Sequence, residues 1–214
     1  MKDKYYRTYN FFDIKKEKNF DKTNLTLISH FKTLQQKGDA NCGPCCAIML
    51  LNYYGDFRFK EEDVAILMKT KKFQKGTNFN HFYNFFKNLS NKEGKFKVFS
   101  NFEYKKLHKH KLIFPTFEKF KIFILDKLKR NIPVIVENVD YGGHYKIIIG
   151  YDEQSKSKDE DDMLIFCDPQ DVTDEKCDGY NYFPADRFYY MWFDNHCFSK
   201  KYRKQPFLYI EYNN

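Results

Sequence analysis

The chain has 214 residues, 42% of them hydrophobic, with 24 Phe and 17 Tyr; that is enough apolar surface for a core and excludes disorder of the whole chain. The formal net charge is +8, but the lysines are spread along the chain without a basic tail or nucleic-acid motif, so a solvated lysine surface is expected and no nucleic-acid partner. No run of about 18 apolar residues occurs, so no integral membrane segment is expected, and residues 1–24 lack the apolar centre of a secretory signal. The expected location is cytoplasmic, or secreted by a route that needs no signal peptide.

Residues 1–30 form a polar lead segment with scattered aromatics, expected as an N-terminal extension that is irregular or a short helix. Residues 31–214 are expected to form one domain, since no Gly/Ser-rich or Pro-rich linker divides them. From Cys42 the pattern turns helical: Cys45, Cys46, Met49, Leu50 and Tyr53 recur at spacings of three and four, and Gly55 stops the run. Glu61, Glu62 and Asp63 open a second helix through Met68, with acids where the helix dipole favours them. A third runs through Phe79, Phe82, Phe85, Phe86 and Leu89, and Phe96 to Phe99 reads as a strand after Gly94. A fourth helix spans residues 117–130.

The second half changes character. Residues 133–137, 145–151, 163–167 and 207–212 are compact β-branched or aromatic runs and read as strands. The charged stretch 153–162 reads as a solvated hairpin loop without EF-hand spacing. Helices first and strands second predict an α+β fold, an N-terminal helical half packed on a C-terminal, mainly antiparallel sheet.

Six cysteines stand at 42, 45, 46, 167, 177 and 197. Their spacing is not that of a small disulfide scaffold, so reduced thiols are expected. Cys42 differs from the rest in context. The polar loop from Gln36 to Asn41 leads straight into the apolar helix, which puts Cys42 at a helix N-terminus. There unpaired N–H groups and the positive end of the dipole favour a thiolate, the form that acts as nucleophile. Pro44 suits a first helical turn.

A nucleophilic thiol needs a base on another element. His144 follows Gly142 and Gly143 and opens a strand, whereas His30, His81, His108, His110 and His196 lie in lead, helical or loop segments. The imidazole needs a third group to hold its tautomer. Asp168, followed by Pro169, ends the next strand. If these strands pair as a hairpin, His144 and Asp168 fall at neighbouring strand ends. One helix and two strands then converge on one cleft, with Cys42, His144 and Asp168 as candidate nucleophile, base and orienting acid.

In this order and spacing the chain resembles the bacteriocin-processing, double-glycine-leader peptidases of the papain-like clan. The resemblance is carried by Gln36 six positions before Cys42, by Asn41-Cys42-Gly43 opening a helix that ends in Tyr53-Tyr54-Gly55, and by Glu61-Glu62. It continues through Gly76-Thr77, the run from Pro133 to Val136, Gly143 to Asp152, Asp168-Pro169, and Phe188 four residues before Trp192, covering residues 34–195. It implies a papain-like cysteine protease fold, a peptide or protein substrate cleaved through a thioester acyl-enzyme, and no metal or other cofactor. It also implies that Gln36 completes an oxyanion hole with the Cys42 N–H; Gln35 is the rival for that role. The chain departs from the family in having Asn41 where Asp is usual, in the longer segment between His144 and Asp168, and in residues 1–30. No transporter segments follow, so a stand-alone enzyme is expected and cleavage after Gly-Gly is not carried over.

These residues also admit other uses. Cys42-Gly43-Pro44-Cys45 matches a thiol–disulfide redox tetrapeptide, but a polar loop precedes it where a redox motif would follow a buried strand. A zinc site on Cys42, Cys45 and Cys46 lacks a second close ligand pair. The same triad could carry out deamidation or transglutamination of a protein, as in a secreted effector, and the fold could serve as a non-catalytic peptide-binding module.

Overall fold

The computed structural model describes residues 24–71, 76–107, 112–138, 143–154, 162–172, 177–192 and 205–213. Their elements are β1 (Leu25–Leu27), α1 (Cys42–Tyr53), α2 (Glu61–Leu67), α3 (Phe79–Glu93), β2 (Phe96–Ser100), α4 (Asn101–Leu107), α5 (Phe117–Lys129), β3 (Val134–Asn138), β4 (His144–Asp152), β5 (Met163–Cys167), β6 (Tyr180–Pro184), α6 (Ala185–Met191) and β7 (Phe207–Tyr212). The fold is α+β, built on a seven-stranded sheet in the order β2-β7-β3-β4-β5-β6 with β1 paired to β4. Every pairing is antiparallel.

β4 is the axis of the sheet. Its first half pairs with β3, from Asn138↔His144 to Val134↔Ile148. Its second half pairs with β1, Leu27↔Gly150 to Leu25↔Asp152. β5 runs along the opposite edge, so β1 takes over where β3 leaves off. All residues of β3 and β4 are buried, which means that helices or loops cover both faces of the sheet there. β1 lies inside the segment whose sequence reads as an irregular or helical lead; residues 1–23 lie outside the described residues.

The helix bounds follow local chemistry. Asn78 caps α3 by accepting from the Asn80 N–H, and Thr116 caps α5 by accepting from the Lys119 N–H. In α1 every residue from Cys42 to Leu51 is buried, so this helix is enclosed all round rather than on one stripe. Phe114, Phe120, Phe188 and Trp192 form an aromatic cluster that joins α5 to α6. No helix among the described residues is long and apolar enough to cross a membrane.

The charged stretch before β5 departs from expectation at its last residue. β4 and β5 form the expected antiparallel hairpin, and residues 155–161 lie outside the described residues. Asp162, however, is fully buried rather than solvated. Asp162 Oδ2 accepts from Lys121 Nζ at 2.9 Å and from the Tyr151 hydroxyl at 2.8 Å, which ties this corner to α5.

Candidate active site

Cys42 is the first residue of α1, His144 the first of β4, and Asp168 the residue just past β5. The expected hairpin sets their relation. Ile147 pairs with Cys167 across β4 and β5, so Asp168 continues the register toward the start of β4. His144 Nε2 lies 2.6 Å from Asp168 Oδ1, and the Cys42 thiol is close enough to the same imidazole to raise its affinity for a proton. The structure thus brings together the three residues that the sequence singles out.

Two glycines make the arrangement possible. Gly143, immediately before His144, has φ +125, a region that side-chain-bearing residues avoid. Gly43, after Cys42, is closely packed: a Cβ there would sit 3.0 Å from the Thr77 side chain and 3.4 Å from the Tyr145 ring. That close packing presses the N-terminus of α1 against β4, and Cys46 Sγ donates to the Tyr145 carbonyl at 3.3 Å.

The electrostatics favour an ionised pair. Burial lowers the affinity of His144 for its proton, but the hydrogen bonds to Asp168 and Cys42 outweigh it and push the pKa from 6.5 to about 9. Asp168 moves the other way. Burial raises it, and His144, Lys146 and the Gln170 N–H together bring it down to about 2. A histidine with a pKa of about 9 is protonated at neutral pH. Burial pushes the Cys45, Cys46 and Cys167 thiols well above 9.0, so they stay neutral. Cys177 is exposed, and Cys197 lies outside the described residues.

Gln36 sits in the loop before α1. Its N–H donates to the Pro169 carbonyl at 2.8 Å, which ties this loop to the turn that carries Asp168. Its side-chain Nε2 donates to the Gly38 carbonyl at 2.9 Å, and its Oε1 is buried without a partner among the described residues. Asn41, at the N-cap of α1, makes no capping bond, so its side chain leaves the first-turn N–H groups uncapped. Its carboxamide turns instead to Glu61.

The sequence does not single out Glu61 or Lys146 for the site. Glu61 reads as one of several acids at a helix start; in the fold it is fully buried. Its Oε1 accepts from the Lys37 N–H at 3.0 Å and from Asn41 Nδ2 at 2.6 Å. It therefore clamps the loop at residues adjoining Gln36 and Cys42. Glu61→Ala should destabilise the protein by about 1–3 kcal/mol, the cost of leaving these donors unmet. Urea unfolding measures this, and a loss too small to resolve would mean the loop holds its shape without the clamp. Lys146 interrupts an apolar run in the sequence, and only its cross-strand neighbour explains it.

Among the described residues no group of three or more His, Cys, Asp or Glu side chains is arranged to hold a metal ion. A search of curated proteins finds no match. The family profile described as "Peptidase_C39 like family" matches residues 28–196, a span that includes Gln36, Cys42, Glu61, His144 and Asp168. The chain belongs to this Peptidase_C39-like family of cysteine peptidases.

Proposed function

We propose that the protein is a papain-like cysteine hydrolase that cleaves a peptide or protein substrate with a Cys42–His144–Asp168 triad and with Gln36 in its oxyanion hole. The observation that carries this is the buried His144 Nε2–Asp168 Oδ1 contact at 2.6 Å, with the Cys42 thiol at the start of α1 coupled to the same imidazole. Asp168 fixes Nε2 of the ring, which assigns the thiol to Nδ1.

The steps follow from that geometry. The thiol proton passes to His144, and Sγ bonds to the substrate carbonyl carbon as the carbonyl π electrons move to oxygen. The resulting oxyanion meets the Cys42 backbone N–H and Gln36 Nε2. As the tetrahedral species collapses, the C–N bond breaks and His144 gives its proton to the departing amine. Water then attacks the thioester, His144 takes a proton from it, and the thiolate leaves. A redox use of Cys42 would need Cys45 as the partner thiolate, and burial beside Glu61 opposes that ionisation.

The test is labelling of the full chain with iodoacetamide and with an irreversible papain-type inhibitor. Cys42 should react first and fastest, ahead of exposed Cys177, and Cys42→Ala should abolish that label. Slow labelling of all thiols at comparable rates would sink the hydrolase reading. The oxyanion role separates from the nucleophile's: Gln36→Ala should lower kcat about 100-fold or more yet leave the iodoacetamide rate near wild type, because alkylation builds no oxyanion. A variant that loses both equally would assign Gln36 to loop structure.

A further inference from the structure

Lys146 is the lysine within β4, and its side chain is only 6% exposed. A lysine buried to this degree is costly unless its charge is met. Its Nζ lies 3.2 Å from Asp168 Oδ2. The register accounts for the meeting: Ile147 pairs with Cys167, and one further step sets Lys146 opposite Asp168. Two residues back on β4, His144 takes the other oxygen, Oδ1, at 2.6 Å. Asn181 Nδ2 on β6 also donates to Oδ2 at 2.8 Å, and the Gln170 N–H donates to Oδ1 at 2.8 Å. The carboxylate is held between a titrating cation on one oxygen and a lysine ammonium on the other.

We infer that Lys146 is a positioning residue of this site: it locks Asp168 through Oδ2 and shares the carboxylate's charge with the His144 imidazolium, limiting how firmly that imidazolium keeps its proton. The inference rests on the triad proposed above. The leaving amine must take its proton from His144, and a carboxylate that served His144 alone would make that proton harder to give up. A neutral residue in place of Lys146 would leave the whole charge of Asp168 to the imidazole. The attraction would then strengthen, since it acts in a buried site where screening is weak.

Among the described residues, Cys42 on α1 couples to His144, Cys46 on α1 and Cys167 on β5 couple to Asp168, and Asp178, ahead of β6, couples to Cys167. Burial keeps Cys46 and Cys167 neutral. Asp178 Oδ1 accepts the Tyr180 N–H at 2.9 Å. Lys146 is the added cation that the pair itself does not supply.

The experiment is the rate of Cys42 alkylation by iodoacetamide in the full chain as a function of pH. In the wild type the rate should step as His144 loses its proton, at a pH of about 9. In Lys146→Met and Lys146→Gln the step should move up by about one pH unit. In Lys146→Arg, which keeps the cation, it should stay with the wild type. A purely structural role would change the melting temperature without moving the step, so an unmoved step in the folded Met and Gln variants overturns the inference. A wild type without a fast-reacting Cys42 overturns the triad itself, which is a separate outcome. If both uncharged variants fail to fold, the 15Nζ signal of Lys146 in the wild type decides: a shift that follows the His144 titration supports the inference, and a signal indifferent to it overturns it.

Discussion

His144→Ala should slow alkylation of Cys42 at pH 7 by about 30-fold, because an ordinary thiol is only a few per cent ionised there. Peptide turnover should fall much further, by about 1,000- to 10,000-fold. The two numbers differ for a physical reason. Alkylation needs only the thiolate, whereas turnover also needs a proton delivered to the leaving amine and later taken from water. The pH dependence is a second signature. The wild-type rate should be nearly flat around neutrality, where the imidazole holds the proton up to a pH of about 9. The variant's rate should climb with pH as the isolated thiol ionises. A His144→Ala protein that alkylates at the wild-type rate would remove His144 from the site.

Asp168→Ala should destabilise the fold by about 3–5 kcal/mol, the range for breaking a buried ionic network by removing one partner. The carboxylate accepts from His144, Lys146, Asn181 and the Gln170 N–H, so its loss takes an anionic partner from a buried lysine as well as from the histidine. The pH profile sharpens the expectation. His144 is raised from 6.5 to about 9, so its contribution is complete below 6.5 and is lost as pH rises through 9. Asp168 is lowered from 3.8 to about 2, so its contribution is present above 3.8 and is lost as pH falls through 2. The pair therefore supports the fold most between pH 3.8 and 6.5. Urea unfolding at a series of pH values should show wild-type stability declining from 6.5 toward 9, while Asp168→Ala starts lower and shows a smaller decline, because Asp168 supplies part of what raises His144. Equal stability and parallel profiles would mean that the network contributes nothing to folding.

The residues of the candidate triad are legible in the sequence because each carries a local mark. A polar loop running into an apolar helix marks Cys42, a Gly-Gly pair before a strand marks His144, and Asp-Pro after a strand marks Asp168. Periodicity likewise discloses α1, α2, α3 and α5 and most of the strands. It misses β1, α4, β6 and α6. β1 spans only Leu25–Leu27, too short for a period to show. β6 and α6 meet at Pro184 and Ala185 without a break in composition, so nothing local marks the change. A stripe at helical spacing discloses α1, but its burial on every side comes from packing against β4 and α2.

By itself, the sequence determined the α+β character of the chain and singled out Cys42, His144 and Asp168, in that order, as candidates. These rest on spacing, turn residues and helix starts, all of which act over a few neighbouring residues. Only the tertiary structure decided what Lys146 and Glu61 do. A lone lysine in an apolar strand and an acid at a helix start have many meanings in one dimension. The first becomes the second cation on Asp168 because the β4–β5 register sets the two opposite each other. The second becomes the clamp on the loop before Cys42 because α2 brings it to Lys37 and Asn41. In both cases the deciding contact joins residues 20 or more positions apart, beyond the reach of any local pattern.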